Sequence, residues 1–197
     1  MARNSRALLL ALGLIALPSV ATAHSAEGVA GGLVSGLLHP VLGPDHMIAM
    51  VAVGLWGAQL GRPLVYALPI AFPMVMALGG LLGLAGVPVP GVEVGIALSD
   101  VVLGLAILAA WRAPAWLAVL LIGVFAIMHG HAHGVELPDD AEPLAYGIGF
   151  VVATGLLHLL GIVIGLLNDW EGLGPKIVRG CGGVIAGVGI AFLVGSL

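Results

Sequence analysis

The chain has 197 residues, 60% of them hydrophobic and 8% charged, with a formal net charge of −4 and a mean hydropathy of +1.19. A soluble globular domain carries about 25% charged residues, so this chain cannot cover itself with a hydrated surface, and lipid must be the solvent for most of it. The single cysteine, Cys181, excludes an intramolecular disulfide and a multi-thiolate metal site; the sequence has no basic run for nucleic acid and no G-x-x-x-x-G-K-[ST] loop for ATP.

Residues 1–23 read as a cleaved secretory signal peptide. Arg3 and Arg6 form a positive start, Ala7 to Leu17 an apolar core, Pro18 a break, and Ala21-Thr22-Ala23 a small-x-small cleavage site. An uncleaved first helix is the alternative. Cleavage would leave residues 24–197 as a single polytopic transmembrane domain opening at His24, whose α-amine and imidazole could chelate one metal.

The remainder divides at Pro, Gly and charge into apolar stretches at 29–60, 64–86, 92–111, 114–134, 143–167 and 177–197. Most match the ~20 residues that span a bilayer core. The expectation is an all-α membrane protein with six transmembrane helices. The first stretch is too long for one straight span and is interrupted by Pro40, Gly43 and Pro44, which predicts a helix broken at HPVLGPDH, residues 39–46.

The positive-inside rule orients these spans. With His24 outside, the loops carrying Arg62, Arg112, and Lys176 with Arg179 fall inside. The loops at 87–90 and 135–142 fall outside, the latter with Glu136, Asp139, Asp140 and Glu142. Trp56, Trp111, Trp116 and Trp170 fall near the cytoplasmic interface. Both mature termini are expected outside the cytoplasm. Rows of small residues (Gly28, Gly32 and Gly36; Gly79 and Gly83; Gly161 and Gly165) would let helix backbones approach closely.

Ionisable groups at membrane depth are costly and ask for a reason. The first span has His39, Asp45 and His46. On a straight helix His39 and His46 would lie roughly 10 Å apart along the axis, too far to share one small cation. Unwinding at Pro40 and Pro44 could turn them towards one point and free backbone carbonyls, as non-helical backbone does where it lines a transport site. The alternative is a proline kink with histidines bonded to nearby carbonyls. The third stretch has Glu93 and Asp100 on one face. The fourth ends in HGHAHG, where His129 and His133 share a face and His131 points away unless Gly130 opens the helix. His158 lies in the fifth, as a pathway group or a helix-to-helix bond. Imidazole suits nickel, cobalt, zinc and copper, and carboxylate broadens the choice.

These segments together resemble the HupE/UreJ family of bacterial membrane proteins over nearly the whole mature chain. The stretches that carry the likeness are HPVLGPDHMIAMVAVGLWG at 39–57, FPMVMALGG at 72–80, VPVPGVEVGIALSD at 87–100, FAIMHGHAHGVELP at 125–138 and YGIGFVVATGLLHLLGIVIG at 146–165. The resemblance implies uptake of nickel, and sometimes cobalt, for hydrogenase or urease maturation. It implies that His39, Asp45 and His46 carry the signature of the first span, and that Phe72, Glu93, His133 and Glu136 shape or bind along the path. The His-x5-Asp-His spacing is similar to the His-x4-Asp-His signature of nickel/cobalt permeases, one residue longer. Asp100 stands where a less polar residue is expected.

The expected function is therefore transport of Ni²⁺ or Co²⁺ through the lipid bilayer, with the ion as cargo and no permanently bound cofactor. His24, His131, His133 and the acidic loop would gather metal outside. His129 and Glu93 would pass it to a mid-membrane site of His39, Asp45 and His46, and it would leave past His158 or Asp100. The alternative is a non-transporting membrane protein that hands metal to a maturation partner. No H-E-x-x-H and no nucleophile–base pair is found, so an enzyme is not expected. A homo-oligomer is left open.

Overall fold

The first apolar stretch does break. In the computed structural model, which describes residues 28–137 and 141–196, it forms α1 (Gly28–Leu42) and α2 (Pro44–Leu60), joined at Gly43 with their axes bent by 79°. Pro40 remains inside α1. Pro44 starts α2, where its missing N–H costs nothing. The two predicted breakers act differently, and the hinge falls on the glycine between them.

Five more helices follow: α3 (Leu64–Leu84), α4 (Val92–Leu108), α5 (Ala115–Val135), α6 (Pro143–Gly165), extended by a 3-10 turn (Leu166–Asp169), and α7 (Gly174–Gly195). Every element named is helical. Four helices are long and apolar enough to cross a membrane, and five spans result if the bent pair counts as one. The chain is thus a multi-pass membrane-embedded protein. Its outer faces agree: Met74, Leu78 and Leu81 of α3, Leu156 and Leu159 of α6 and Val184 of α7 are all exposed, an apolar exterior that water would not tolerate. The signal peptide and His24 lie outside the described residues.

Two boundaries differ from expectation. The third stretch stops at Leu108, because Ala110 takes a positive φ of 51° and ends the helix. The last helix starts at Gly174, before the predicted 177, because Pro175 serves as a first-turn residue; Lys176 and Arg179 are therefore helical.

The helices pack as α3 on α5, α4 on α7, and α1 with α2 on α6, with α2 central and also touching α3, α4 and α7. The glycine rows lie in these contacts. A Cβ on Gly36 would strike Tyr146 O, one on Gly79 would strike Ile127 O, and one on Gly161 would strike Val51 O. Without a hydrophobic force between helices in lipid, such backbone proximity supplies the packing.

One end of the bundle collects the basic residues. Gln59 Nε2 donates to Ile107 O (3.2 Å), Arg179 Nε to Leu108 O (2.7 Å) and Trp56 Nε1 to Trp111 O (3.3 Å), so the C-terminus of α4 is capped from α2 and α7. Trp56 is fully buried and stacks on Trp111, so it is a core residue at that end; Trp111, Trp116 and Trp170 are exposed.

Candidate metal centre

The bend at Gly43 brings the His39 and His46 rings to a centroid separation of 6.2 Å. Gly43 N still donates to His39 O (3.1 Å) and Met47 N to Gly43 O (2.8 Å), so helical bonding resumes on both sides of the turn. Asp45 does not join the pair. Its Oδ1 accepts from His46 N (2.9 Å), holding the first turn of α2, and its side chain faces a separate cavity of about 460 Å³ with Glu93, Ala97, Phe192 and Ser196.

The partners of His39 and His46 come from α5. His133, in its last turn, lies with its ring 4.3 Å from His46 and 4.8 Å from His39. Glu136, which follows the helix as its C-cap, places Oε2 3.2 Å from His39 Nε2. One donor atom from each of His39, His46, His133 and Glu136 falls within 4.8 Å of all the others. Three imidazoles and a carboxylate at that spacing can converge on one ion after small rotations.

Burial grades across the group. His46 and His133 are buried, His39 is partly exposed and Glu136 is exposed, so the carboxylate is the solvent-facing lip. Among the described residues, both ring nitrogens of His133 are buried without a hydrogen-bond partner. A buried imidazole is rarely left so, and the open nitrogens fit a ligand. The hydrogen bond from His39 holds the Glu136 carboxyl below the usual carboxylate range. Tyr146 and Phe150 of α6 wall the site; Phe150 lies 4.2 Å from the His133 ring and Tyr146 5.9 Å from that of His39.

The structure divides the other candidates. His129 sits one turn below His133, fully buried, with Nδ1 2.9 Å from His46 Nδ1 and Nε2 3.0 Å from Ser99 Oγ; it touches a site histidine rather than the site. His131 points to the opposite side, as an unopened helix requires, and bonds Val87 O (2.8 Å). Phe72 stands between His129 and His158, at 5.6 and 5.5 Å. His158 and Asp100 are buried, with no hydrogen-bond partner for their side-chain polar atoms among the described residues; Asp100 lies against Gly189 of α7. In the acidic loop, Glu142 caps α6, accepting from Leu144 N (3.1 Å) and Ala145 N (2.6 Å); Asp139 and Asp140 lie outside the described residues.

Two expectations change. The pair His39–His46 lies level with the last turn of α5, not at mid-depth. And the expected outer collector and inner site share residues, since His133 and Glu136 complete what His39 and His46 begin. Ser99 was not singled out; a lone serine among apolar residues gives no sign of the histidine it meets.

A family model described as HupE / UreJ protein matches residues 11–192. A curated relative, Protein HupE of Rhizobium leguminosarum bv. viciae, is 44% identical over 184 residues, covering 93% of this chain and 95% of that protein. No solved structure matches.

Proposed function

The chain belongs to the HupE/UreJ family, and on that premise we propose that it carries a divalent transition metal, nickel or cobalt, across the bacterial inner membrane. The reading rests on one observation: His39, His46, His133 and Glu136 offer donor atoms within 4.8 Å of one another, from a broken helix and the end of its neighbour. Imidazole and carboxylate without thiolate bind these metals strongly enough to capture them and weakly enough to release them. Six crossings complete the topology. The helix α4, at 17 residues, reaches ~25 Å, close to the thickness of the hydrocarbon core.

The clustering of Gln59, Arg179 and Trp111 at one end, with Arg62 and Arg112 following α2 and α4, supports a cytoplasmic assignment for that end. Glu136 then faces the periplasm, and so does the end of α7, which borders the Asp45–Glu93 cavity. Inward from the site the buried line runs His46, His129, Phe72, His158. Phe72 separates the site from His158 and would restrict passage between them.

Labelled nickel uptake into proteoliposomes tests the proposal. Uptake by the unmodified protein that disappears in His46→Ala supports transport; tight binding without uptake would instead support hand-over to a partner. Two further outcomes are expected. Asp45→Asn keeps the acceptor for His46 N and leaves the four donors in place, so nickel affinity should change by less than ~10-fold, against more than ~100-fold for His46→Ala, measured by calorimetry. Uptake should also fall as pH drops from about 8 to about 5.5, because imidazoles must lose a proton to bind metal. Glu136, held below the usual carboxylate range, stays ionised across that window, so the pH dependence should persist in Glu136→Gln. Uptake flat over that range would count against the site.

A further inference from the structure

One ring nitrogen of His46, Nδ1, lies 2.9 Å from His129 Nδ1, and the same side chain offers a donor to the four-residue cluster. We propose that Ser99 and His129 form a buried relay that fixes the tautomer of His46 and so selects Nε2 as its metal-binding atom. The inference rests on the metal reading above only for its consequence; the relay itself is a property of the empty protein.

The assignment starts from a carbonyl, which can only accept. Ser99 Oγ lies 2.7 Å from Ile96 O and must donate its single proton there. Towards His129 Nε2, at 3.0 Å, the same oxygen can then only accept, so His129 carries its proton on Nε2. His129 is fully buried among apolar side chains, with no carboxylate among its hydrogen-bond partners, which favours a ring with one proton. Its Nδ1 is therefore bare. At 2.9 Å from His46 Nδ1, that bare nitrogen accepts, and His46 must donate from Nδ1. The nitrogen left free on His46 is Nε2, with its lone pair available to the ion shared with His39, His133 and Glu136.

The chain has one polarity from end to end: His46 to His129 to Ser99 to the Ile96 carbonyl on α4. Hydrogen bonds on the far ring nitrogen set orientation and basicity of metal-binding histidines, and their loss commonly costs about 10–100-fold in affinity. Ser99 and His129 are positioning residues in this sense. Ser99 is fully buried, and its hydrogen bonds go to Ile96 O and to His129 on the next helix rather than to any of the four donors.

The experiment uses the full-length protein in detergent micelles without metal. Nitrogen-15 spectra of the histidine rings, with His46 assigned by its disappearance in His46→Gln, report which nitrogen is protonated. The expected result is a protonated Nδ1 and a bare Nε2. In Ser99→Ala the His46 signals should shift towards the opposite tautomer and nickel affinity should fall about 10-fold or more, while Ser99→Thr, which keeps the hydroxyl, restores both. His129→Asn retains an acceptor near the position of Nδ1 and should exceed His129→Leu in nickel affinity. A bare Nδ1 on His46 in the unmodified protein, or tautomer and affinity unchanged in Ser99→Ala, overturns the relay. A protein that shows the Nδ1-protonated tautomer yet binds no nickel supports the relay and overturns the metal reading instead.

Discussion

Replacing His133 by alanine is expected to abolish metal uptake and lower nickel affinity by more than ~100-fold, beyond what loss of a supporting hydrogen bond costs. His133 is the donor through which the two halves of the site meet. Its ring lies against both His39 and His46, and it reaches them from α5. The empty protein should remain folded. Among the described residues neither ring nitrogen of His133 has a hydrogen-bond partner, so its removal strands no polar group, and the cost is limited to the ring's packing against Phe150, His39 and His46. Calorimetry with nickel and a melting curve on the same sample separate the two effects. Affinity within about threefold of the unmodified protein would show that the site does not use this residue.

Gly130→Ala should do the reverse and damage the fold first. A methyl group there would run into Met76 O and lie 2.9 Å from Gly80 N, both backbone atoms of α3 that cannot swing aside. The α3–α5 contact would have to part, at about 1–3 kcal/mol for overpacking. Because His129 and His133 flank this point on α5, nickel affinity should fall with stability. Gly155→Ala, on an exposed stretch of α6 with nothing within 4 Å, is the comparison. It should be neutral, or more stable by up to ~1 kcal/mol from helix propensity. Equal melting temperatures for the two variants would contradict the packing described.

Gly130 also shows where the sequence stopped being readable. Between two histidines it left open whether the helix opens there; the structure uses it to admit α3. Helical periodicity was enough to place His129 and His133 on one face and His131 on the other. The break at 39–46 was legible from Pro40, Gly43 and Pro44, since each limits the backbone in a known way. What periodicity could not supply was which helix meets which. Nothing local says that α5 packs its last turn against the hinge, so His133 and Glu136 were assigned to a mouth apart from His39 and His46. The same gap put Asp45 among the donors. Its place beside His46 in the chain is close, but the helix turns its carboxylate to the backbone and towards Glu93. Trp56 was read as an interfacial residue because its depth was right, while its direction, inward onto Trp111, depends on packing.

The central claim is that a single ion is held jointly by the broken helix and the end of α5. X-ray absorption at the nickel edge, on the purified protein loaded with one equivalent, tests it most directly. The account predicts a shell of nitrogen and oxygen donors at about 2.0–2.1 Å with scattering from three imidazoles, falling to two in His133→Ala and again to two in His39→Ala. One imidazole or none, or a spectrum that both substitutions leave unchanged, would contradict it.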